Sequence, residues 1–167
     1  MANTKTKEVS KKTFAEIPEN VDVNDVIMVR NGFSGRLIYV SPKTKEEYVW
    51  DSFGDEVEMD IKELRTAKSS QKKFFEYNWF MFDDEYSWVI PYLGVSKMYE
   101  NSISIDEMDN IVKMSPTEVK KLCGKLNDGQ RKTMIYMVKD MFAKGKIDSL
   151  KVVSALEDGL GISLTDR

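Results

Sequence analysis

The 167-residue chain contains no histidine, a single cysteine (Cys123) and four prolines. Without histidine, Ser-His-Asp and Cys-His nucleophile activation are excluded, and the commonest general base near neutral pH is gone. So are the imidazole ligands that most zinc, copper and non-haem iron sites use. One cysteine excludes an intramolecular disulfide and any cysteine-based zinc site. No apolar run approaches the roughly 18–20 residues that a membrane span needs. The N-terminal lysines have no apolar segment behind them, so a secretory signal is not expected. Internal repeats and low-complexity tracts are also lacking. The net charge of -3 argues against a protein that coats nucleic acid everywhere, but leaves room for one basic face. These absences predict a protein that folds in the cytoplasm and acts without catalysis, metal or cofactor.

What is present divides the chain into four. Residues 1–20 are polar and without a consistent period, and read as a flexible N-terminal arm with Phe14 and Ile17 as apolar anchors. Residues 21–68 read as a small β unit: Val26-Ile27-Met28-Val29, Leu37-Ile38-Tyr39-Val40, Tyr48-Val49-Trp50 and the strictly alternating Glu56–Ile61, joined by Gly/Pro turns as a meander. Residues 69–100 form an aromatic connecting region holding Trp79 and Trp88. Aromatic side chains bring the most apolar area per residue, so this belt is expected where the two halves meet. Residues 101–167 carry helical signals throughout. Residues 62–73 are expected to start a helix or linker with Ser69-Ser70 as an N-cap, the belt to run as a helix or a helix-turn until Pro91 and Gly94 interrupt it, and Ser104 to cap another helix. Ser115-Pro116-Thr117-Glu118 has the form of a capping box. Asp148 is expected to cap a last helix that stops at Gly159, with Ile162 and Leu164 as a docked tail.

Each candidate site has a plainer competitor. Gly32 and Gly35 lack the Gly-Lys-Ser/Thr and following helix of a phosphate loop, and read as a turn. The carboxylates of Asp83-Asp84-Glu85, Asp106-Glu107-Asp109 and Glu56-Glu58-Asp60 are the groups with which a histidine-free chain would do acid-base work. Of these only Asp83-Asp84-Glu85, between Trp79 and Trp88, is expected near an apolar cleft. The plainer readings are a loop acid cluster for the first, helix-start electrostatics for the second and a solvated strand face for the third. Cys123 reads as a buried small hydrophobe. The Met134–Met141 stripe reads as core, or as an adaptable groove for a partner helix. Residues 113–151 are locally basic, and two short helices about Asn127-Asp128-Gly129 share the outline of a helix-turn-helix. A nucleic-acid surface would use Arg30, Arg36, Lys43 and Lys45, or Arg131 and Lys132 of the basic helices.

Asn24-Asp25-Val26-Ile27-Met28-Val29, Gly32 and Gly35-Arg36-Leu37-Ile38-Tyr39-Val40 resemble the opening of a KOW- or Tudor-type barrel over residues 22–66. That resemblance implies a five-stranded Src-homology-3-like small antiparallel β-barrel that binds nucleic acid or peptide. Asp51, Asp55, Glu56, Glu58 and Asp60 depart from it, standing where a nucleic-acid binder would carry lysine. The expected fold is therefore α+β, such a barrel followed by a C-terminal bundle of short helices. The order of a lysine-rich arm, a β unit, the Asn78-Trp79-Phe80 belt and the helical end at Gly145-Lys146-Ile147-Asp148-Ser149 also resembles small proteins of bacteriophages that infect Gram-positive bacteria. This implies no activity, and raises the expectation of a virion part or an accessory phage factor. The leading expectation is a virion structural protein (capsid decoration, head-tail connector or tail completion), made in the bacterial cytoplasm. It would dock to other protein subunits, copies of itself among the candidates, through Phe14, Ile17, Trp79, Trp88 and Tyr92. A nucleic-acid-binding regulator and a phage inhibitor of a host protein are the alternatives.

Overall fold

The computed structural model describes residues 13–165. The first twelve residues of the expected arm lie outside the described residues. The fold is α+β, with five short strands in two antiparallel sheets among the described residues and helices after and between them. β1 (Val26–Asn31), β2 (Leu37–Val40), β3 (Glu47–Trp50) and β4 (Glu56–Asp60) form where the alternation predicts them. β1 buries Ile27 and Val29 and exposes Val26, as a period of two requires.

Their pairing is not the expected meander. β1 is central, antiparallel to β4 from Val26↔Asp60 to Arg30↔Glu56, and on its other side to a strand the sequence did not signal, β5 (Phe80–Met81). β2 and β3 make a separate hairpin. The reason lies at Asn31, which is fully buried. Its amide donates to the carbonyls of Gly35 (2.8 Å) and Ser52 (3.0 Å), and its side-chain oxygen accepts from Phe33 N–H (2.8 Å). The backbone N–H groups of Asn31 and Gly32 donate to Asp55 and Trp79. These donors therefore bind the β1–β2 and β3–β4 turns and the belt, and none reaches β2 itself. A Cβ on Gly32 would collide with the Asn78 carbonyl, so glycine serves close backbone approach here. The sheets meet where the Trp50 indole donates to the Val29 carbonyl (2.9 Å) and Tyr39 packs edge-on against Phe80 (5.8 Å). Strand pairing among the described residues does not close a barrel.

α1 (Ile61–Ser70) starts directly after β4, with Asp60 accepting from Glu63 N–H (2.7 Å). Ser69 and Ser70 end this helix instead of starting another; their hydroxyls donate back to the Thr66 carbonyl. The belt is not one helix. It comprises α2 (Lys73–Glu76), a left-handed Asn78 (φ 53°), β5, a 3-10 turn at Asp84–Tyr86, α3 (Val89–Tyr92) and α4 (Ser96–Tyr99). Pro91 fits inside α3 because a helix's first turn needs no backbone donors. Tyr39, Trp50, Phe75, Phe80 and Tyr99 fill this first core.

The second half carries α5 (Ile105–Asp109), α6 (Pro116–Cys123), α7 (Asp128–Ala143) and α8 (Leu150–Leu160). Ser104 caps α5, the Ser115/Glu118 box is complete on α6, and Asn127 caps α7. α8 is capped by Ser149, one residue after the expected Asp148, and ended by the left-handed Gly161, beyond the expected Gly159. Gly159 instead serves close helix packing. A Cβ there would stand 2.7 Å from that of Cys123, so its absence lets α6 and α8 approach. α6 lies chiefly against α8, so the helix-turn-helix outline does not describe the packing. Met134, Met137 and Val138 enter the second core with Cys123 and Leu156, while Ile162 and Leu164 pack half-buried against it as the expected tail. Phe53 touches both cores. Among the described residues no helix is long and apolar enough to cross a membrane.

Candidate functional site

Two concavities lie where the halves meet. The larger, about 760 Å3, is lined by Asp83, Asp84, Glu85, Glu100, Asp106 and Glu107, with Arg30 and Lys125 among them. It brings together two of the carboxylate groups singled out in the sequence. Arg30 on β1 connects them. Its Nε donates to the Gly54 carbonyl (3.1 Å), and one terminal nitrogen lies 3.1 Å from Asp83 and 3.5 Å from Asp106. Glu56, its cross-strand partner, is 3.9 Å away. Burial alone would lower the guanidinium's pKa, but Asp83 and Asp106 more than offset this and raise it. The charge is permanent, and Arg30 stands between the acids as their counter-ion. Among the described residues no three acids converge to hold a metal ion. The N-terminal segment borders this cleft through Thr13 and Phe14. Phe14 packs half-buried on the first core, and Ala15 N–H donates to Ser87 Oγ (2.8 Å).

The smaller concavity, about 160 Å3, is almost wholly apolar. Its walls are Phe33, Tyr77, Trp79 and Tyr136, with Gly129, Thr133 and Lys132 completing it. Trp79 stands edge-on to Phe33 (5.7 Å, 69°) and Phe74 (5.4 Å, 84°) and is tilted against Tyr77 (5.3 Å). The Lys73 ammonium sits 5.9 Å from the Trp79 ring centre and that of Lys132 6.0 Å from Tyr77, at cation–π range. Asn78 aims Tyr77 and Trp79. Its left-handed backbone reverses the chain, its amide donates to the carbonyls of Phe75 (3.0 Å) and Met98 (2.9 Å), and its oxygen accepts from Asn127. Because Asn127 also caps α7, the helix that carries Tyr136 is fixed to the loop that carries Trp79.

Of the residues expected to dock a partner, Trp79 lines this recess, whereas Trp88 is only 8 % exposed and serves the first core, with Tyr92 half-buried edge-on against it. Phe14 is partly sequestered on its own chain, and Ile17 is free at 46 % exposure. Of the basic residues, Arg30 is tied to acids. Arg131 donates to the carbonyls of Gly159 (3.0 Å) and Cys123 (3.4 Å), where α8 and α6 end. Lys132 leans on Tyr77, and Arg36, Lys43 and Lys45 are exposed. Burial pushes the Cys123 thiol pKa up, which keeps it protonated. Sequence reasoning missed Phe33, Tyr77 and Tyr136. Tyr136 had one available signal: at 67 % exposure it is a large aromatic on the polar side of an amphipathic helix.

No protein-family model matches this chain, and comparison with curated proteins and with solved structures finds no match.

Proposed function

We propose that this chain is a non-enzymatic docking protein whose aromatic recess receives an apolar side chain from a protein partner. The single observation that carries this reading is the recess itself, an apolar hollow walled by Tyr77 and Trp79 from one half and Tyr136 from the other. Its about 160 Å3 is well below the roughly 300–1,000 Å3 of small-molecule sites and suits one anchoring side chain. Interface hot spots are enriched in tryptophan and tyrosine and cluster in well-packed pockets. The larger cleft supports the non-enzymatic part, because Asp83 and Asp106 are engaged with a permanent cation and the N-terminal segment borders it. The five strands around Tyr39 and Trp50 support an open form of the Src-homology-3-like barrel, a class that presents surfaces to macromolecules.

The setting we propose is a bacteriophage virion, as a decoration, connector or tail-completion subunit; its support is the resemblance of the whole-chain arrangement to small phage proteins. Mass spectrometry of particles from the phage that encodes this chain tests it. The wild-type protein should be present and a Tyr136→Ala protein depleted. Particles that lack the wild-type chain would remove the virion setting, and equal incorporation of the variant would remove the recess.

A further inference from the structure

We infer that the occupant of the recess is a second copy of this chain, which inserts Ile17 from the segment Glu16-Ile17-Pro18-Glu19. This rests on the docking reading and names its partner. The four residues are all exposed, in a stretch without helix or strand. Just before them the chain is held by Phe14 on the first core and by the Ala15–Ser87 hydrogen bond. Ile17 is thus presented two residues beyond a fixed point. Pro18 restricts the residue before it to extended backbone, which lowers the entropy lost on docking.

Charge selects the same segment. Glu16 and Glu19 flank the apolar side chain, while Lys132 lines the recess and Lys73 lies over its Trp79 wall. An isoleucine needs no hydrogen bonds and suits walls that offer almost none. A nucleobase would meet few polar partners among these walls. The segment and the recess are different surfaces of the molecule, so each copy can give one segment and receive another. Reciprocal exchange closes a two-fold dimer, and head-to-tail exchange produces a larger ring if the rotation closes and a filament if it does not.

Sedimentation equilibrium of the full chain over a concentration series tests this, with Ile17→Ser and Tyr136→Ala as variants. Both residues are exposed, and circular dichroism and thermal melting should confirm an unchanged fold. Wild-type mass should rise with concentration, and each variant should weaken association about tenfold or more. An equimolar mixture of the two variants should form a one-to-one dimer and stop, since only one productive segment–recess pair remains. Added salt should weaken every association. A wild-type chain that stays monomeric, or an Ile17→Ser protein that associates normally, overturns the inference. Protection of Tyr136 by an acidic peptide of another protein or by a single-stranded oligonucleotide, with copies staying monomeric, overturns it as well. Monomers whose incorporation into particles still depends on Tyr136 would sink self-docking alone; monomers without that dependence would sink the docking reading too.

Discussion

Gly129 lies directly against the backbone of Tyr77: a Cβ built on it would stand 2.7 Å from the Tyr77 carbonyl oxygen and 2.8 Å from its Cα. This contact brings the start of α7 against the belt and sets the width of the recess. Gly129→Ala must move one wall, because the obstruction is backbone. The expected loss is about 1–3 kcal/mol, the usual range for overpacking, together with impaired docking. Gly124 is the control. Its backbone is right-handed (φ -67°) and its nearest neighbour would be 3.5 Å from a new Cβ, so Gly124→Ala should be neutral or slightly stabilising. Urea unfolding of the two variants checks the contrast.

Gln130 ties α7 to the segment that leads into α5. Its amide nitrogen donates to the Ile103 carbonyl (2.8 Å) and its oxygen accepts from Ile103 N–H (2.9 Å), all buried. Gln130→Leu keeps the bulk and leaves both backbone groups without these partners, each at about 1–3 kcal/mol. The amide exchange of Ile103 should accelerate more than that of the β1 strand, as measured by hydrogen-exchange NMR. Equal acceleration at both sites would mean that the pair is not a local tie.

Alkaline stability follows from the tyrosines. Burial raises the pKa of Tyr39 and Tyr99, and the Glu63 carboxylate that accepts from Tyr39 Oη (2.7 Å) raises the former further. The folded phenols keep their protons where unfolded ones release them, above about pH 10. The unfolded state then binds fewer protons, so stability is undiminished below that pH and declines as pH climbs beyond it. Phenolate absorbance should therefore appear for these two only as the protein unfolds. Tyr39→Phe should remove part of the alkaline loss. It should also lower stability at neutral pH by about 1–3 kcal/mol, because Glu63, 6 % exposed, loses its donor.

Arg30 joins three acids that come from different parts of the sequence. Asp83, Asp106 and Glu56 are partly or largely exposed, so each pair contributes at most about 0.2–1 kcal/mol. Arg30→Met leaves the carboxylates facing one another. Salt should then stabilise the variant by screening that repulsion, while it weakens the same pairs in the wild type. Thermal midpoints at low and high salt give the two slopes, and equal slopes would mean that Arg30 does not balance the cleft.

Much of this fold is legible locally. The Ser115–Glu118 box, the Ser104 cap and the alternation of β1 and β4 depend on neighbours within a turn or a strand, and the structure has them as expected. β5 is not legible that way. Phe80 and Met81 pair with Asn31 and Arg30, far away in the chain, and a two-residue strand carries no period. The same holds for the recess: Phe33, Tyr77 and Tyr136 sit on three separate parts of the chain, and the bond between Asn78 and Asn127 ties the belt to α7. In sequence Arg30 is available to a nucleic-acid surface because its acid partners are distant. Trp88 reads as surface because an aromatic looks alike in sequence whether it faces a core or a partner.

Arg131 gives the sharpest separation between a structural and a nucleic-acid role for the basic helices. Its guanidinium donates to the last carbonyls of α8 and α6, groups that helix ends leave without an internal partner. Cations near helix C-termini are also favoured by the dipole. Arg131→Met keeps the aliphatic stem and removes both hydrogen bonds, each charge-assisted and worth roughly 1.5–3 kcal/mol, discounted here by partial exposure. The expected result is a lower unfolding midpoint in urea with an unchanged m-value. Lys132→Met, on an exposed side chain, should change stability little. If nucleic acid were the partner, both substitutions would weaken binding and flatten its salt dependence. Filter binding of the wild type and both variants at two salt concentrations beside the urea curves decides the matter: a fall in stability confined to Arg131→Met, with no retention of nucleic acid by the wild-type protein, assigns Arg131 to the α6–α8 junction.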